Sequence, residues 1–104
     1  MATTTKVLAR TAAATSSTTL YTAPNSSTTA VVTNIVAANT SASAVTFTIA
    51  MDSVEVLGSV ALAANTSAFF DLKQVLPANA TPKTISGFAS STSVKFHISG
   101  VEIA

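Results

Sequence analysis

Apolar and polar residues alternate with period two along much of this chain, the pattern of strands half-buried against a core. The clearest run is Val45-Thr46-Phe47-Thr48-Ile49-Ala50-Met51, which predicts a strand with Val45, Phe47, Ile49 and Met51 inward. Thr29 to Ala38 is a nearly continuous Val/Ile/Ala/Thr run, the reading expected of a buried strand. Further strands are predicted around Leu20-Tyr21, Val54–Leu57, Val60–Leu62, Ser67–Leu72 and Thr84–Ala89. A last strand carries Val94, Phe96 and Ile98 on one face. Gly100 then breaks the period and Val101 and Ile103 resume it shifted by one, which predicts a bulge at the glycine.

Turn chemistry separates these runs: Ala23-Pro24-Asn25-Ser26, Asn39 to Ser43, Asp52-Ser53, Ala64-Asn65-Thr66, Pro77 to Lys83 and Ser90-Ser91-Thr92. About eight short antiparallel strands at roughly ten-residue spacing predict an all-β fold, a β-sandwich of jelly-roll-like form. The hexapeptide Ala-Ala-Asn-Thr-Ser-Ala occurs at 37–42 and again at 63–68, each copy at a strand connection. Two related hairpin halves would explain it, and so would coincidence in a chain of this composition.

Residues 1–17 stand apart from residues 18–104, which make up the predicted sandwich domain. Their apolar nucleus is Lys6-Val7-Leu8, followed by Arg10. An arm docking on a neighbouring subunit and an edge segment of the sandwich are both compatible with this pattern. As an arm, it would make contact through Lys6, Val7, Leu8 and Arg10.

Composition changes the picture in one respect. Ala, Ser and Thr supply 52 of 104 residues, and charged residues only 9%. Hydroxyl groups must therefore wet the surface, and a net charge of +1 gives little repulsion between copies. Such a chain is expected to work as an oligomer or as a subunit of a larger assembly. No cysteine is present, so disulfide and thiolate chemistry are excluded. No signal peptide and no membrane helix are expected from the apolar patterning.

Candidate chemistry is sparse. His97, the single histidine, alternates onto the face opposite Phe96 and Ile98, as a surface or interface residue would. Nothing resembles a nucleophile elbow, and one histidine without cysteine makes no metal constellation. Asp52 and Glu55 are read as a solvated acidic turn. Lys73, Lys83 and Lys95 do not cluster, and the three glycines are scattered, so neither nucleic-acid binding nor phosphate cradling is expected. No enzymatic activity, cofactor or metal is expected.

One pattern resembles a family. It runs Leu20-Tyr21-Thr22-Ala23-Pro24, then Thr29 to Thr40, the strand through Phe47 and Ile49, Leu62 to Thr66, Leu76-Pro77-Ala78, and His97-Ile98-Ser99-Gly100-Val101-Glu102-Ile103. This resembles small all-β virion proteins of tailed bacteriophages, among them capsid decoration or cement proteins and neck or tail components. Asn25-Ser26-Ser27 stands where a glycine-containing turn is usual. The resemblance implies a non-enzymatic structural protein on the outer capsid surface, bridging subunits of a major capsid protein or other virion proteins, and a homo-oligomer, a trimer by preference. It equally admits a neck, tail or fibre-base adaptor. A carbohydrate- or cell-surface-binding sandwich is the reading from another class, against which the sparse aromatic residues count.

Overall fold

The alternating runs become strands in a computed structural model that describes residues 3–104. They are β1 (Thr3–Ala12), β2 (Thr18–Thr22), β3 (Thr29–Asn39), β4 (Val45–Met51), β5 (Val54–Leu62), β6 (Ser67–Phe70), β7 (Gln74–Leu76), β8 (Thr84–Ala89) and β9 (Val94–Ile103). No helix occurs among the described residues, so none is long and apolar enough to cross a membrane.

Two antiparallel sheets pack face to face. The front sheet has the order β1-β9-β3-β6, with β7 continuing beside β3, and the back sheet has the order β2-β8-β4-β5. The chain changes sheets after β1, β2, β3, β5, β7 and β8, which is jelly-roll connectivity. Nine strands appear where about eight are read from the turns: the runs Val54–Leu57 and Val60–Leu62 make the single strand β5, while β1 and β7 are added, β7 sharing one lane along β3 with β6. Asp71-Leu72-Lys73 interrupts that lane.

The core lies between the sheets. Phe47, Ile49, Ile35, Val32, Leu76, Ile85, Val94, Phe96 and Ile98 are its largest fully buried side chains. Phe47 sits at the centre, edge-on to Phe96 at 5.9 Å and to Phe70 at 6.1 Å between ring centroids. Val45, Phe47, Ile49 and Met51 all face inward, as the alternation predicts. Thr48, on the opposite face, is buried as well. β5 carries one extra residue between Leu57 and Val60, and the Ser59 amide in this bulge donates to Thr48 Oγ1 at 3.0 Å.

The bulge expected in β9 lies in its neighbours instead. β9 alternates without interruption through Phe96, Ile98 and Gly100 on the inner face. The extra residue on one side is Leu8 of β1, between the pairs Val7–Ser99 and Ala9–Ile98. On the other side it is Thr33 of β3, between Val32–Gly100 and Asn34–Ser99. Val101 and Ile103 therefore face outward because of the ordinary alternation of β9, not because of a shift in it.

Residues 3–12 form the edge strand β1, paired along its length with β9. The following Ala13 and Ala14 are tied down too: the Ala13 amide donates to Val94 O at 2.8 Å, and the Ala89 amide to Ala14 O at 2.9 Å. Leu8, Ala9 and Ala13 are in the core.

The two Ala-Ala-Asn-Thr-Ser-Ala copies lie side by side. Ala37 pairs with Ala68 and Ala38 with Ser67, and the ladder extends through Asn39 N to Thr66 O at 2.8 Å and Asn65 N to Ser41 O at 3.0 Å. Their asparagines do different work. Asn39 is buried, and its amide group donates to Ser43 O, Leu62 O and Ala63 O while Oδ1 accepts from the Ser41 amide and hydroxyl. Asn65 instead supplies a left-handed turn residue at φ 55°.

Candidate interaction surface

The outer face of the front sheet follows from register, since residues paired across antiparallel strands share a face. One row reads Phe69–Val36–His97–Arg10 across β6, β3, β9 and β1. A second reads Val75–Val31–Val101–Thr5 across β7, β3, β9 and β1. Between them lies Asn34–Ser99–Val7, and beyond the second row comes Thr29–Ile103–Thr3. Seven large apolar side chains thus line an uncovered face, with Phe69 at 72%, Val75 at 59% and Val7 at 45% exposure.

The sequence signal for this face is the run Thr29 to Ala38. It is apolar on both sides, and the sandwich covers one side only: Ala30, Val32, Ile35 and Ala37 are buried, whereas Val31 and Val36 are not. Antiparallel sandwiches ordinarily alternate polar residues outward.

The charged side chains at strand positions of this face are all cationic. Arg10 and Lys95 lie toward the end of the sheet that carries the Asn39 turn, with His97 between them. Arg10 Nε donates to His97 Nδ1 at 3.2 Å. None of the four acidic residues occupies a strand position of the face. Glu102 points inward, where it accepts from Lys6 Nζ at 3.3 Å and from the Tyr21 hydroxyl at 2.5 Å. Burial first, then the hydrogen bond and the negative charge of Glu102, push the Tyr21 hydroxyl well above its ordinary pKa. Asp52 sits in the β4–β5 turn and pairs with Lys83 at 3.3 Å.

The four N-terminal residues singled out from the sequence are divided by the bulge. Val7 and Arg10 reach the outer face, whereas Leu8 is core at 6% exposure and Lys6 turns inward to Glu102. Leu8 is therefore a packing residue rather than a docking one. Val31, Val36, Phe69, Val75, Val101 and Ile103 complete the face, and sequence reasoning does not single them out. Their common side emerges only from the pairing of five separate strands.

A second concavity, of about 210 Å³, lies on the outer side of the back sheet and is lined by Ser17, Thr48, Ser53, Glu55, Ser86 and Phe88 among others. Glu55 is its only ionisable group. Among the described residues, no group of three or more His, Cys, Asp or Glu side chains comes together to hold a metal.

No family model and no curated protein sequence matches the chain. Its fold does match solved structures. It is similar to a chain of the infectious bursal disease virus particle, with a TM-score of 0.57 and 14% identity over 97% of this chain. It is also similar to a chain of the Gx strain of the same virus, with a TM-score of 0.54 and 16% identity over 97% of this chain. This chain spans 30% and 32% of the length of those two chains. At that identity the likeness is one of fold, an all-β jelly-roll sandwich.

Proposed function

We propose that this chain is a non-enzymatic structural component of a virus particle, and specifically a decoration protein that braces a tailed-bacteriophage head by bridging capsid subunits. The observation that carries the virion reading is the fold match, which takes in almost the whole chain and joins it to one domain-sized part of virus-particle chains. The finer, bacteriophage reading rests on the strand and turn order from Leu20 to Ile103 described above. The physical character of the surface supports both. Few charges, hydroxyl wetting and an uncovered apolar sheet suit a protein that works packed against others. His97 supports the non-enzymatic reading, since its Nδ1 lone pair is taken by Arg10 rather than its N–H being oriented by a carboxylate.

Mechanically, the two sheets form a stiff plate whose edges and faces can span neighbouring subunits and add buried area between them. Electron microscopy of particles from cells expressing the chain tests this. Density for the sandwich at repeated positions on the outer capsid is expected. Density confined to the neck or tail would replace decoration with an adaptor role, and absence from every particle component would overturn the virion reading.

A further inference from the structure

From the outer face of the front sheet we infer that this chain pairs with a second copy of itself, front sheet to front sheet, about a twofold axis that lies in the contact plane, crosses the strands and passes through Ser99. The register makes the face self-complementary in this arrangement. Positions 97 and 101 of β9 are equidistant from 99, so the rotation lays one cross-strand row over the other. Phe69 falls over Val75 of the partner subunit, Val36 over Val31 of the partner subunit, and His97 over Val101 of the partner subunit. Arg10 falls over Thr5 of the partner subunit, and Lys95 over Ile103 of the partner subunit. The middle row, Asn34–Ser99–Val7, meets itself.

Charge selects this axis over its alternative. A twofold running along the strands would gather both copies of Arg10, Lys95 and His97 at one end, whereas the exposed carboxylate of Asp71, in the break between β6 and β7, lies mid-sheet and not at that end. The axis across the strands sends the two cationic clusters to opposite ends, each over apolar or hydroxyl side chains along which lysine and arginine stems can lie. Size is sufficient too. The sheet's four lanes, about 4.8 Å apart and up to eleven residues long, offer roughly 600 Å² per partner, which clears the ~1,000 Å² total of a specific interface. Two sheets meeting this way form an ordinary aligned sandwich contact about 10 Å deep.

Sedimentation equilibrium of the whole chain, with charge placed on the face, tests the pairing. The wild type is expected at twice its 10.4 kDa. Val36→Glu and Val31→Lys should each weaken association by at least about tenfold, because each buries an unpaired charge at the contact. The double variant Val31→Lys/Val36→Glu should recover the dimer, because the introduced lysine of each copy then faces the introduced glutamate of the other. Both side chains point outward, and circular dichroism confirms that each variant is folded. A monomeric or trimeric wild type would overturn the pairing, as would single variants that still dimerise, or a folded double variant that stays monomeric. The virion reading is separate: a monomer found at capsid positions would refute the pairing alone.

Discussion

Leu8 occupies the space that a side chain at Gly100 would need. A Cβ built on Gly100 lies 2.9 Å from Leu8 Cδ1 and 2.2 Å from the carbonyl oxygen of Val31. The two neighbouring bulges explain this. Each inserts a residue into a strand flanking β9 near Gly100, and the extra Leu8 turns inward over the bare backbone. Gly100→Ala should therefore cost about 1–3 kcal/mol or more in chemical denaturation, as overpacking does. Leu8→Ala should not rescue it, since the Val31 carbonyl belongs to the ladder and cannot move aside. A double variant more stable than Gly100→Ala alone would show that Leu8, not the backbone, is the obstacle.

The same pair shows where the sequence is legible. The alternation in β4, β8 and β9 is local, so the inward positions Phe47, Ile49, Phe96 and Ile98 can be read directly. Gly100 stands out as a special position, but its meaning depends on β1 and β3, which lie far away in sequence. The outer face is hidden for a related reason. Val31 and Val36 look like core because nothing in a single run says that only one side of the strand is covered. Phe69 and Val75 join that face only through a lane split between β6 and β7. The paired hexapeptides are a third case, since their repetition is visible in the sequence and their contact is not.

Removal of residues 1–12 would strip β1 from β9. It would take Leu8 and Ala9 out of the core and leave β9 as an unpaired edge with Phe96 and Ile98 beneath it. The truncated chain should lose its cooperative thermal transition or aggregate, because a long uncovered strand recruits other chains. A truncated protein that melts like the full chain would mean that β1 is a detachable arm.

Asn39 should tolerate no replacement. Alanine would take the Asn39 side chain from Ser41 N and Leu62 O, at about 1–3 kcal/mol for each group left unbonded, while Ser43 O and Ala63 O keep the Ser41 and Thr66 hydroxyls. Aspartate should be worse, because a second carboxylate oxygen would face carbonyls that now receive N–H bonds. Asn65, with its left-handed backbone and no such network, should accept glycine with little change. Urea denaturation of the three variants should rank stability as Asn65→Gly above Asn39→Ala above Asn39→Asp. Equal effects at the two asparagines would contradict the division of roles between the repeats.

Tyr21 should make stability fall in alkaline solution. The chain has one tyrosine and no tryptophan, so near-ultraviolet absorbance reports this hydroxyl alone. Burial and Glu102 hold its proton in the folded state to a higher pH than the unfolded chain can, where the group ionises near 10. Below about pH 10 both states keep the proton and the contribution of the contact is fully present. Above that value the unfolded chain releases its proton first, so the folded state binds more protons and stability decreases as pH rises. The decline should approach about 1.4 kcal/mol per pH unit until the folded state ionises as well. Tyr21→Phe should lose stability at neutral pH, since it removes the hydroxyl bond to Glu102, but should show a shallower alkaline decline. Groups other than Tyr21 are common to both chains, so the difference between the two profiles isolates this hydroxyl. A native absorbance midpoint near that of the unfolded protein would show that the tie between Tyr21 and Glu102, and with it this link between β2 and β9, does not hold in solution.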